Sequence, residues 1–130
     1  MAMAELPELL VADRAAWRAW LSEHHATSEG VRLVLTKKGG TRTALALDEA
    51  VLEALCFGWI DGQAKTVDEG SWTIRFTPRR AKSNWSARNI GRVGELEEAL
   101  LMTPAGRAAV DAAKADGRWD AVRGGASGRQ

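Results

Sequence analysis

The sequence predicts an α+β domain: a small, mainly antiparallel sheet of about three strands covered by about four helices. Three observations carry this expectation. Apolar residues recur at helical spacing in four segments, two runs alternate apolar and polar residues, and glycine-containing turns separate the two kinds of stretch. At 130 residues the chain fits one domain, expected over residues 1–122. Residues 123–130, RGGASGRQ, are too poor in apolar side chains to bury a core and are expected to form a disordered tail.

The first helix is expected to start at Asp13, a good N-cap, because Trp17, Trp20, Leu21 and His24 then fall on one helical face. Gly30 closes the connection to a strand over Val31–Lys37, in which Val31, Leu33 and Leu35 alternate with Arg32, Val34 and Thr36. Gly39 and Gly40 make a loop. A second helix is expected from Leu47 to Ile60, with Val51, Leu52, Leu55, Cys56, Trp59 and Ile60 as its apolar stripe and Asp48, Glu49 and Glu53 opposite. Gly58 lies inside that pattern, at a cost of ~1 kcal/mol relative to alanine, and Gly62 is the expected left-handed stop. Ala64–Val67 and Trp72–Pro78 form a hairpin around Asp68-Glu69-Gly70. Its second arm sets Trp72, Ile74 and Phe76 against Thr73, Arg75 and Thr77, and Pro78 ends the ladder because it lacks a donor. A third helix starts at Ser83 or Ser86 and carries Ile90, Val93, Leu96 and Leu100. Thr103-Pro104 starts the last one, which runs through Val110 and Ala113 to Gly117.

Composition narrows the setting. The one cysteine, Cys56, has no intramolecular partner, which suits a reducing compartment. The N-terminal residues lack a basic region followed by an apolar run, and no stretch approaches the ~20 apolar residues of a membrane span. A cytoplasmic protein is the expectation. Charge is segregated within a near-neutral total of 18 basic and 17 acidic residues. Between Ile74 and Arg92 stand Arg75, Arg79, Arg80, Lys82, Arg88 and Arg92 with no acidic residue, so the rest of the chain is acidic.

The same region carries ordered motifs. Phe57-Gly58-Trp59-Ile60-Asp61 is followed by Arg75-Phe76-Thr77-Pro78-Arg79-Arg80 and by Lys82-Ser83-x-Trp85-Ser86-x-x-Asn89. Met102-Thr103-Pro104-Ala105-Gly106 and Asp116-Gly117-Arg118-Trp119-Asp120 complete the series, with Trp17-x-x-Trp20-Leu21 and Lys37-Lys38 upstream. From about Leu6 to Val122 the chain resembles the bacteriocin-protection family, also called the YdeI/OmpD-associated family. It departs from that pattern at Leu100, where a glycine is expected, and at Arg32, where the first strand usually has a large apolar residue. The resemblance implies an association with protection against bacteriocins and cationic antimicrobial peptides and with an outer-membrane porin. It implies no defined biochemical activity.

The cationic stretch suits an anionic ligand. Arg75, Arg79 and Arg80 offer planar forks of donors, Lys82 adds charge, and the helix start at Ser83–Ser86 presents free backbone N–H groups. The Ser83 and Ser86 hydroxyls and the Asn89 amide add neutral hydrogen bonds. Trp59 and Asp61, at the expected end of the second helix, would face them, giving a cleft lined by Trp59 and Trp85 with Lys65 near Asp61. Each residue also has a structural reading. Trp59 at helical spacing suits a core, Ser83 or Ser86 suits a cap, and Asp61 could pair with Arg79 or Arg80 for ~0–1 kcal/mol.

Nucleic acid is the weaker partner, because a pI of 7.9 lies below that of a typical binder and no recognised motif is present. His24 and His25 have no partners at metal-ligand spacing, Cys56 lies on an apolar stripe, and no phosphate loop or nucleophile elbow occurs. The expected function is therefore binding of an anionic small molecule, with no cofactor or metal. A small enzyme acting on a phosphorylated or carboxylated metabolite and a protein-interaction module are the alternatives.

Overall fold

The computed structural model describes residues 6–37 and 40–122. The loop reading at Gly39, the Lys38 motif position, the tail at 123–130 and the first five residues of the export reading lie outside them.

Among the described residues four strands form one sheet in the order β1-β2-β4-β3. They are β1 (Glu8–Leu9), β2 (Val31–Thr36), β3 (Trp59–Thr66) and β4 (Ser71–Pro78). β4 pairs antiparallel with both β2 and β3, and the two-residue β1 pairs parallel with β2. The α+β class holds, with four strands rather than about three. The extra one, β1, is too short to show a period in sequence.

Four helices cover one face: α1 (Arg14–His24), α2 (Leu47–Cys56), α3 (Ala87–Glu98) and α4 (Pro104–Ala115), followed by a short helical stretch over 118–122. α2 is central, packing on α1, α3, α4 and β3. The buried sheet residues on the helix-covered face are Val31, Leu33 and Leu35 of β2, Trp59 of β3, and Ile74 and Phe76 of β4. Strand alternation puts Arg32, Val34, Thr73 and Arg75 on the opposite face, as the sequence pattern requires. Among the described residues no helix is long and apolar enough to cross a membrane.

Helix starts follow the capping residues. Asp13, Ser86 and Thr103 each accept a hydrogen bond from the backbone N–H three residues on. The end of α2 corrects the sequence expectation. The helix stops at Cys56, and Trp59-Ile60-Asp61 belong to a strand. Gly58, not Gly62, is the stop. It sits at φ +77°, where a side chain would be strained, and it turns the chain into β3. Apolar residues at 55, 56, 59 and 60 satisfy helical spacing whether or not the helix continues. The glycine decides between the two.

Glu53 is a second correction. It belongs to the buried set of α2 at 3% exposure rather than to a solvent face. Arg14 and Arg18 of α1 donate to its carboxylate at 2.6 and 2.7 Å, and Arg18 also donates to the Leu101 carbonyl. The i, i+4 spacing of the two arginines was the signal in the sequence.

The Met102–Gly106 motif has a packing role. The Thr103 hydroxyl and backbone N–H both donate to the Cys56 carbonyl at the end of α2. Gly106 lies so close that a Cβ there would stand 2.3 Å from the same oxygen. Only glycine lets α4 rest on the end of α2.

Candidate functional site

The three expected segments do meet, but among the described residues the crevice between them is closed. Trp59, Ile60 and Asp61 of β3, Phe76 of β4, Arg79 and Asn89 of α3 line one crevice against α2, with an accessible volume of about 0 Å³. Trp59 is 1% exposed and packs edge-on to Trp20, with ring centroids 5.8 Å apart. Trp85 is 5% exposed, so neither ring offers a free face. A second hollow, bordered by Arg79, Arg80, Ser83, Trp85 and Arg118, holds about 80 Å³. That is the share of ~2–3 water molecules.

In this corner the basic side chains hold the chain together. The Arg79 guanidinium lies 3.6 Å over the Trp85 ring and donates through Nη1 to the Ser83 hydroxyl and the Asn84 carbonyl, each at 3.0 Å. Burial pushes its pKa down to about 10; Asp61 opposes this shift, and Arg118 adds to it. Arg118 donates to the carbonyls of Ser83 and Ala81 and to the Asp116 carboxylate. Trp119 closes edge-on against Trp85 at 5.2 Å. The Asp116–Trp119 motif therefore clamps the 79–85 loop. Ser86 caps α3, and Asn89 accepts from Arg92, which also faces Asp48 at 3.7 Å. Arg80 and Lys82 are exposed on the rim.

Arg75 and Lys65 go elsewhere, to the sheet face without helices. The register sets Arg32 of β2 directly opposite Arg75 of β4, and Lys65 of β3 opposite Thr73. Like charges on directly paired residues repel, so a sheet gains nothing from this arrangement by itself. Arg32 donates to the Leu6 carbonyl at 2.7 Å and stands 3.6 Å from the Glu8 carboxylate. Arg75 and Lys65 make no hydrogen bond or ion pair with the described residues. With Gln63, Thr73 and Leu6 these cations line an open groove of about 250 Å³.

The cluster assembled from the sequence thus divides. Trp59, Asp61, Arg79, Ser83, Trp85 and Asn89 line the closed corner, Arg80 and Lys82 stand on its rim and Ser86 caps α3, while Lys65 and Arg75 lie in the groove. Arg32, Thr73 and Gln63 were missed. Alternation already placed Arg32 and Arg75 on polar strand faces, but only the β2–β4 register brings them together. The presence of arginine at 32 where an apolar residue was expected was the available hint.

Other chemistry is not gathered. Among the described residues no group of three or more His, Cys, Asp or Glu could hold a metal ion. Cys56 is fully buried, and burial raises its thiol pKa. His25, read from the sequence as having no partners at metal-ligand spacing, is half-buried, with Nδ1 2.9 Å from the Leu21 carbonyl and its ring against Phe57. No curated protein and no solved structure matches the chain. One family model does, over residues 9–109, a span that takes in all four strands but β1's first residue, α1, α2, α3 and the start of α4. The chain belongs to the family described as a domain of unknown function, DUF8412.

Proposed function

We propose that this protein binds a small anion, a carboxylate or phosphate compound, on the open face of its sheet. The observation that carries the reading is the directly opposed Arg32–Arg75 pair with Lys65 beside it. Glu8 stands beside Arg32, while Arg75 and Lys65 have no acidic partner among the described residues. An anion seated between them would turn repulsion into charge-assisted hydrogen bonds. Thr73 adds a hydroxyl. A groove of about 250 Å³ suits a ligand smaller than the drug-sized compounds that fill ~300–1,000 Å³ pockets.

A thermal-shift screen of phosphorylated and carboxylated compounds tests this. A ligand at 100 times its Kd adds ~2.7 kcal/mol of apparent stability. The reading predicts a shift that disappears in Arg75→Ala and survives in Arg80→Ala. Equal shifts in both variants would sink it.

The family resemblance is carried as a second proposal, with protection against bacteriocins or cationic peptides as its content and a cytoplasmic setting as its place. One observation supports it. Leu100, where that family's pattern has glycine, is the only described non-glycine residue at positive φ, +63°. The position asks for glycine on physical grounds. A deletion strain with unchanged bacteriocin and antimicrobial-peptide sensitivity would remove this reading.

A further inference from the structure

The groove does not stop at the face of the sheet. β3 is an edge strand, and Asp61–Thr66 are all exposed. A β-bulge between Asp61 and Ala64 inserts one residue, which blunts the first half of the edge, as edge strands commonly require. The second half continues in regular pairing, with Ala64 opposite Ile74, Lys65 opposite Thr73 and Thr66 opposite Trp72.

The direction of the backbone groups follows from the turn. The Val67 N–H donates to the Ser71 carbonyl, so Val67 turns inward toward β4. Antiparallel pairs alternate between hydrogen-bonded and non-hydrogen-bonded. Lys65 is therefore of the inward kind, while Ala64 and Thr66 turn their N–H and C=O groups outward. Among the described residues no strand pairs with them.

Hollows flank this edge on both sides. On the open face lies the groove of Arg32, Arg75 and Lys65. On the other side a hollow of about 340 Å³ is lined by Lys37, Thr66 and the half-buried Trp72. Ala64 and Lys65 border both. A strand added to an edge projects alternate side chains to the two faces, and such binding takes affinity from the main chain and specificity from the flanking pockets.

We propose that the free edge of β3 receives an extended acidic polypeptide segment. Its main chain pairs with Ala64 and Thr66. Its acidic side chains reach Lys65 and Arg75, at the β3 end of the groove, and its alternate apolar side chains lean toward Trp72. The proposal rests on the anion-binding reading of that face and adds the class of partner. A second copy of this chain is the poorer occupant, because it would bring a like-charged face to the same edge.

The test uses the full chain and a blocked, fluorescein-labelled hexapeptide of alternating glutamate and leucine, followed by anisotropy and amide hydrogen exchange. Binding is expected to slow exchange at Ala64 and Thr66 at least tenfold, and Lys65→Glu to weaken it at least tenfold. N-methylating one alternate set of peptide nitrogens should abolish binding, while methylating the other set is tolerated. Equal binding of both methylated peptides overturns the proposal. So does edge protection that follows protein concentration without peptide, which would mean a dimer. Inorganic phosphate separates the two readings. If phosphate still binds in an Arg75-dependent way while the edge amides stay unprotected by peptide, the docking proposal fails and the anion reading stands. If Arg75→Ala leaves phosphate binding unchanged, the anion reading fails.

Discussion

Two regions of this protein hold arginines beside hydroxyl groups, and they employ them differently. At the Trp85 corner, Arg79 and Arg118 point into the fold and donate to loop carbonyls, a serine hydroxyl and Asp116. On the open sheet face, Arg75 and Lys65 have no such partners among the described residues and stand beside another cation. The contrast teaches that positive charge in a sequence does not mark a site. What matters is whether the donors are already occupied or sealed inside the fold, as Arg79 Nε and Nη2 are. A fork that caps carbonyls is structural, and one without partners among the described residues, as at Arg75, has its donors available for a ligand.

Stability should separate the regions most sharply. Arg118→Ala removes a clamp on two carbonyls and a carboxylate and is expected to cost about 2–3 kcal/mol in urea unfolding. A loss under about 0.5 kcal/mol would make the corner as dispensable as an ordinary surface. Arg79→Ala should cost less, about 1–2 kcal/mol. It loses the Trp85 stack and two hydrogen bonds but also removes Nε and Nη2, which are buried without a partner among the described residues.

Leu100→Gly, outside both regions, should raise stability by about 1 kcal/mol, because a left-handed leucine costs ~1–2 kcal/mol. The motif around it is complete. Leu101 N–H bonds to the Leu96 carbonyl and Leu100 N–H to that of Glu97, so glycine enters without rearrangement. A lower midpoint would mean that the exposed leucine makes a contact of its own.

The smaller effects belong to the open face. The Gly70 N–H and the Ser71 hydroxyl hold the Asp68 carboxylate below its ordinary pKa, with Arg42 contributing, and so fasten the β3–β4 turn. A lowered folded-state pKa contributes stability that is present above about pH 4 and lost as pH falls through the folded value. Wild type should therefore exceed Asp68→Asn at neutral pH, and the two should converge in acid. A difference that persists at pH 2 would contradict this. Arg75→Ala and Lys65→Ala should change stability by no more than about 0.5 kcal/mol while weakening anion binding at least tenfold.

Much of the architecture was legible. Alternation at Val31–Thr36 and Trp72–Pro78 and the caps at Asp13, Ser86 and Thr103 follow from local chemistry, and the structure reproduces them. The end of α2 was not, because its apolar pattern continues past the helix into β3 and only Gly58 marks the change. Nor was Glu53, whose burial depends on arginines 35 and 39 residues away. The site was half legible. Arg75 and Lys65 could be nominated from charge, but Arg32 joins them only through strand register, a long-range property that no local pattern carries.

The proposed anion seat is the Arg75 face and not the Trp85 corner. Nitrogen-15 NMR of the arginine Nε–H groups during a phosphate titration tests it directly. Arg75 and Arg32 should shift together along one binding curve while Arg79 and Arg118 stay fixed. Saturating shifts at Arg79 and Arg118, with Arg75 unmoved, would contradict the account.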